Sequence, residues 1–199
     1  MLIKTFYQDI LGISDEKLLR LLCDATDIRH FAKGELLIGV GSVQQDLYFL
    51  RNGILRGFYF DIGGKDITDC LLVKCGTPAM SCFAFGDDAT ATINIEALTD
   101  TDIFCLPVAV VKDLLEEHPD LIRVYNQLLV ESLRSHWEIK SVVSQKSAAD
   151  RYQWFLSAYP GVIDRITQKY IASFLGISPV HFSRIHNTMQ ESRIDDLTK

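Results

Sequence analysis

The sequence predicts an α+β chain whose β-rich N-terminal half is followed by helices, the last two forming a helix-turn-helix. Three observations carry this. Between Ile28 and Pro107, short apolar or alternating runs punctuated by glycine recur about every ten residues. Residues 120–144 hold an apolar repeat of helical period, long enough for one extended helix. Residues 167–186, TQKYIASFLGISPVHFSRIH, read as helix, glycine turn, helix.

The elements follow in order. Residues 14–26 predict a short amphipathic helix, with Ser14 as its cap, Asp15 and Glu16 in the first turn, and Leu18, Leu19, Leu21 and Leu22 on its apolar face. The runs IRHF, KGELLIGVG, DLYFLRNG, ILRGFYFDIGGKDITDCLLV, ATINIEAL and TDIFCLP then predict short strands of a β-sandwich or barrel-like roll. Lys33-Gly34, Asn52-Gly53 and Gly63-Gly64 mark turns, the last joining 56–60 and 67–73 as a hairpin. Residues 76–88 lack periodicity and read as a loop with a helical turn. Residues 108–117 predict a helix, which His118-Pro119 breaks.

The long helix carries two apolar stripes. One runs through 121, 125, 128, 132, 135, 139 and 142; the other holds Ile122, Leu129, Leu133 and Val143. One stripe can pack on the roll while the other meets a partner helix, which predicts a homodimer; the alternative is a monomeric helix buried on two sides. Residues 144–149 are a polar boundary, and 150–158 a further helix with Tyr152, Trp154, Phe155 and Leu156. Tyr159-Pro160-Gly161 turns the chain, and the polar residues 191–199 are expected to be poorly ordered.

In the helix-turn-helix, Thr167 is a suitable N-cap, with Ile171, Phe174 and Leu175 on the buried side. Ala172 is small where a second helix must approach, and Gly176 permits the positive φ that ends the first helix. Ser178 caps the second helix with Pro179 at its first position, and Phe182, Ile185 and Met189 form its buried stripe. A plain αα-hairpin does not need Ala and Gly at those offsets. Val180, His181, Ser183, Arg184 and Asn187 lie off the stripe, on the end that enters the major groove in DNA-binding examples. Arg184 could donate twice to a guanine edge and Asn187 could pair with adenine. Thr167, Gln168, Lys169 and Ser178 complete the predicted DNA-binding set.

Composition narrows the class. At 48% hydrophobic and 23% charged residues, the chain is expected to be globular. No apolar run suits a membrane span, and residues 1–12 lack the pattern of a secretory leader. Cys23, Cys70, Cys75, Cys82 and Cys105 are odd in number and irregularly spaced, which predicts reduced thiols and a cytoplasmic setting. The net charge is −6, but residues 147–199 carry about +1 and the rest −7. So balanced a module needs a second copy to hold DNA firmly.

The order of β-roll, long helix and helix-turn-helix resembles the Crp/Fnr family of bacterial transcription regulators, most specifically in KGELLIGVG (33–41), LYFLRNGILRGFYF (47–60), GGKDI (63–67) and IASFLGISPVHFSRI (171–185). The resemblance implies three parts. Residues 1–119 would be a cyclic-nucleotide-binding-like, double-stranded (jelly-roll-like) β-roll, 120–146 a dimerisation and connecting helix, and 147–199 a winged-helix-like DNA-binding domain. It implies double-stranded DNA and a second copy as partners, with RNA polymerase and a small-molecule effector as further ones. An effector would lie near Arg56, Phe58, Met80, Ser81, Phe83, Ala91 and Thr92.

Two departures stand out. Cyclic-nucleotide binders of the family place Gly-Glu and then Arg followed by Ser or Thr in the loop after the middle strands. Here the Arg position falls near Ala91, followed by Thr92, and no Arg or Lys occurs between Lys74 and Lys112. A phosphate buried without a cation is poorly held, so tight binding of cyclic AMP or cyclic GMP is not expected. The second departure is that only ESRIDDLTK follows the recognition helix, where the family carries a β wing.

Other chemistries fit less well. Only Cys23 lies early in the chain, whereas iron–sulfur relatives use several N-terminal cysteines. For haem, His30 or a cysteine could serve as axial ligand, but nothing singles one out. A cupin-type roll enzyme needs clustered histidines; His30, His118, His136, His181 and His186 are scattered, and no catalytic, metal or cofactor site is predicted. An interaction protein that keeps the architecture without DNA binding is the remaining alternative.

Overall fold

The computed structural model describes residues 1–80 and 90–197, with side chains to residue 190. The chain divides into two units: Met1–Phe58 with Leu71–Leu133, and Tyr59–Cys70 with Arg134–Lys199.

The β-rich part of the chain forms two four-stranded sheets, most of whose strands lie in the first unit. The strands are β1 (Asp27–Phe31), β2 (Leu36–Ile38), β3 (Asp46–Asn52), β4 (Leu55–Phe60), β5 (Asp66–Leu72), β6 (Pro78–Ala79), β7 (Asn94–Ala97) and β8 (Thr101–Pro107). One sheet runs β1-β8-β3-β6, the other β2-β7-β4-β5. The pairings of β8 with β1 and β3, and of β7 with β2 and β4, are antiparallel. In β7, residues 94–97 alternate between half-buried and buried, the period-2 pattern of a strand with one covered face. Gly53 makes the β3–β4 turn at φ +108°, and a Cβ there would overlap Thr101.

Helices cover the first sheet. α1 (Ile3–Thr5) runs into a wide π-type turn, Phe6–Ile10, followed by α2 (Glu16–Ala25). α3 (Val108–Glu117) and the start of α4 (Asp120–Gln145) complete the cover. Phe6 stacks on Phe104 at 4.7 Å between ring centroids and lies 5.1 Å from Phe49. The Tyr7 hydroxyl hydrogen-bonds the Thr26 hydroxyl at 2.5 Å. Burial pushes the Tyr7 phenol far above its usual range, so it stays protonated.

The second unit contains the rest of α4, then α5 (Ala148–Ala158), a 3-10 turn (Val162–Asp164), α6 (Gln168–Phe174) and α7 (Pro179–Leu197). Its core is aromatic: Tyr152 meets Phe182 edge-on at 5.5 Å, Phe155 stacks on Tyr159 at 5.2 Å, and Tyr159 meets Phe174 edge-on at 5.5 Å. The end of β4, the hairpin turn and most of β5 (Tyr59–Cys70) also belong to this unit. There Thr68 N–H donates to Ser173 Oγ at 2.9 Å, and Ser173 Oγ donates to the Asp66 carbonyl at 3.3 Å.

The structure departs from expectation in several local details. The α2 cap is Asp15, whose carboxylate accepts from Leu18 N–H at 2.7 Å, not Ser14. That bond, the largest cause, holds the Asp15 carboxyl below its usual range. Thr167 occupies the N-cap of α6, but its side chain makes no capping bond. The segment 3–10 is helical and buries Phe6 and Tyr7, whereas no element was expected there. Within 76–88, expected to be a loop, Pro78–Ala79 pairs with β3; residues 81–89 lie outside the described residues. The polar stretch after Gln190 continues α7 to Leu197, since residues such as Glu, Arg and Leu sustain a helix once an apolar face has nucleated it.

Candidate nucleic-acid interface and the roll interior

The α6–turn–α7 unit is built around Gly176, which lies at φ +62°. Ile177 N–H bonds the Ala172 carbonyl at 2.9 Å, and Gly176 N–H bonds the Ser173 carbonyl at 3.0 Å. This is the pairing of a Schellman helix end. Buried Ile177 and Ala172 complete it, so Ala172 serves both the helix end and the close approach of its neighbours. Ser178 Oγ accepts from His181 N–H at 3.2 Å and caps α7, with Pro179 as its first residue.

Phe182 is fully buried, and Ile185, His186 and Met189 are half-buried along the same side. His186 was not expected on this stripe. Its Nδ1 bonds the buried Tyr152 hydroxyl at 2.7 Å, and its ring stacks on Phe182. The residues predicted to face DNA are all exposed: Val180, His181, Ser183, Arg184 and Asn187 on α7, Ser178 at its cap, and Thr167, Gln168 and Lys169 where α6 begins. The α7 sequence thus separates a packed side from a polar, cation-bearing one.

The predicted effector-site residues are partly gathered. Arg56 and Phe58 share one face of β4, and the guanidinium lies 4.0 Å from the Phe58 ring centroid. Opposite Arg56 in the register stands Glu96 of β7, which accepts from Arg56 Nε at 2.6 Å. Arg56 is only 2% exposed, so this ion pair is a buried one. Glu96 escaped the sequence reading, because a partner forty positions away is defined only by strand register. Ala91 is buried, with its backbone paired to Gly41 and Ser42 at 2.9 and 2.8 Å, and Thr92 is exposed. Met80 packs against the cluster around Phe6, Phe49 and Phe104. Ser81 and Phe83 lie outside the described residues.

Of the groups weighed as haem or iron ligands, His30 Nδ1 bonds Asp102 at 3.0 Å, and that bond raises the imidazole pKa above its ordinary value. Burial pushes the Cys105 thiol up to about 11, leaving it protonated at neutral pH. Among the described residues, no three His, Cys, Asp or Glu side chains are grouped to hold a metal. Nor is any helix among them long and apolar enough to cross a membrane.

Residues 28–118 match the cyclic nucleotide-binding domain family. The transcriptional activator protein Anr of Pseudomonas aeruginosa is 28% identical over 131 residues, which cover 64% of this chain and 51% of that protein. The chain thus spans about half the length of this relative. A solved Crp/Fnr-family protein from Eubacterium rectale is 19% identical, with a TM-score of 0.72 over 94% of this chain and 88% of the other. The chain thus resembles Crp/Fnr-family structures in fold. FixK2 from Bradyrhizobium japonicum shares the fold at 15% identity and a TM-score of 0.74, covering 85% of this chain and 86% of its own. The order of roll, long helix and C-terminal helices is therefore that of Crp/Fnr structures.

Proposed function

We propose that this chain is a DNA-binding transcription regulator of the Crp/Fnr type that acts as a homodimer. The observation that carries the reading is the two-sided character of α7. Phe182 locks one side into the aromatic core, while Val180, His181, Ser183, Arg184 and Asn187 stand exposed on the other. A helix held in this way can lie in a major groove with Arg184 and Asn187 at base edges. Thr167, Gln168, Lys169 and Ser178 would then bind backbone phosphates and set the register.

Residues 1–119 form the sensor or scaffold domain in this reading, 120–146 the dimerisation helix, and 147–199 the DNA-binding domain. Dimerisation is supported by a run of exposed apolar residues along α4: Ile122 at 48% exposure, Val130 at 57%, Leu133 at 59% and Trp137 at 60%. Leu121 and Val142, from the other stripe, are buried within the chain. RNA polymerase would be the downstream partner, in the cytoplasm. The reading is of a binding protein rather than an enzyme.

The roll would not hold cyclic AMP in the usual way. Arg56 offers a buried cation, but Glu96 already neutralises it, and Ala91 supplies none. An anionic ligand would have to displace that carboxylate at a cost in desolvation. Any effector acts by binding one orientation of the dimer more tightly than another.

The test is selection of bound duplexes from a random DNA library by the purified protein. A two-fold symmetric motif with half-sites about one helical turn apart is expected. Recovery of no enriched motif would reject the reading.

A further inference from the structure

One side chain in the DNA-binding region is committed to main-chain carbonyls from two separate parts of the second unit. Arg151 lies in the first turn of α5, where its Nε donates to the Lys146 carbonyl, just past the end of α4, at 3.1 Å. Its Nη1 donates to the Leu175 carbonyl at 2.6 Å and to the Gly176 carbonyl at 3.2 Å, both in the turn between α6 and α7. The Schellman pairing uses the Ala172 and Ser173 carbonyls and leaves those of Leu175 and Gly176, farther along, for another donor. A cation at this helix end is also favoured by the α6 dipole.

The joint is closely packed as well. A Cβ placed on Gly176 would lie 3.3 Å from both Arg151 Nη1 and the Val143 side chain of α4. The glycine therefore does two things: it takes the positive φ, and it lets α4 and the guanidinium approach the turn. Only a planar group with several fixed donors can hold the two carbonyl sets at once; an ammonium is a point donor.

We infer that Arg151 is a positioning residue for α7: its guanidinium ties the end of α4 to the α6–α7 turn and fixes the angle at which the exposed face of α7 is presented. The inference rests on the DNA-binding reading for its consequence, but the tie itself is independent of DNA. In a symmetric dimer joined through α4, that angle sets the separation and tilt of the two recognition helices. Arg151 touches no base in this scheme and acts through the turn.

The experiment compares the full-length protein with Arg151→Met and Arg151→Lys by amide hydrogen exchange and by DNA binding. Exchange over residues 175–182 is expected to rise at least about ten-fold in Arg151→Met, with protection of α4 residues 136–145 unchanged; Arg151→Lys recovers only part of the loss. The ratio of specific to non-specific DNA affinity is expected to fall by a similar factor while non-specific affinity holds, and tolerance of altered half-site spacing should widen. Unchanged exchange in the turn overturns the tie. Raised exchange with unchanged spacing preference and specific affinity overturns the positioning role. Should Arg151→Met lose its fold altogether, Arg151→Lys carries the same comparison. A wild-type protein that binds no DNA specifically sinks the proposed function, and the exchange result then decides the tie alone.

Discussion

Arg56 keeps a full charge where little water reaches it, and its ion pair with Glu96 offsets part of the cost of burying it. Removing one member of a buried pair leaves the other charge poorly solvated, so Glu96→Gln should lower unfolding stability by about 3 kcal/mol in a denaturant titration. Arg184 has the opposite character, exposed and free to act outward. Arg184→Ala should leave stability within about 0.5 kcal/mol. Specific DNA affinity should weaken by about 1–3 kcal/mol, as read by anisotropy against a selected operator. His30 gives a pH signature. Its bond to Asp102 raises its folded pKa, so whatever stability it adds is present below the unfolded value near 6.5 and is lost as pH rises through the folded value. In an NMR titration the His30 midpoint should sit above that reference and return towards it in Asp102→Asn. Arg56 could be picked from the sequence as a residue of the roll interior, but Glu96 and Asp102 could not be named as partners. Each is defined by antiparallel register across strands distant in sequence.

Elements were far more legible than pairings. Helices at 108–117 and from 120 emerge with their expected starts, because Pro107 and Pro119 interrupt the chain where the apolar period changes. The hairpin emerges because Gly63-Gly64 separates two apolar runs. What failed was local competition: Ser14 and Asp15 are both good caps, and the structure uses the second. The N-terminal helical turn was missed because its stability is tertiary, coming from Phe6 packed between Phe49 and Phe104. The α6–α7 turn was the clearest element in the sequence, and it yields a direct prediction. Gly176→Ala puts a Cβ at φ +62° against Arg151 and Val143. Thermal or denaturant unfolding should show a loss of about 1–2 kcal/mol.

At the scale of the molecule, the proposed dimer rests on α4. The sequence showed two apolar stripes without saying which faced inward. The structure buries Leu121 and Val142 and leaves Ile122, Val130, Leu133 and Trp137 exposed; Val130 and Trp137 belonged to neither stripe as read. A charge in the middle of that face should prevent pairing, so Leu133→Asp is expected to sediment as a monomer where the parent sediments as a dimer. Whether the exposed face of α7 reads DNA is decided by a binding titration. Purified protein would be titrated with the DNA upstream of its own gene at two salt concentrations, with unrelated DNA as competitor. Binding is expected to survive the competitor and to weaken as salt rises, through release of counterions from the contacted phosphates. Binding that the competitor abolishes, or none at either salt, would contradict the DNA-reading role of that face.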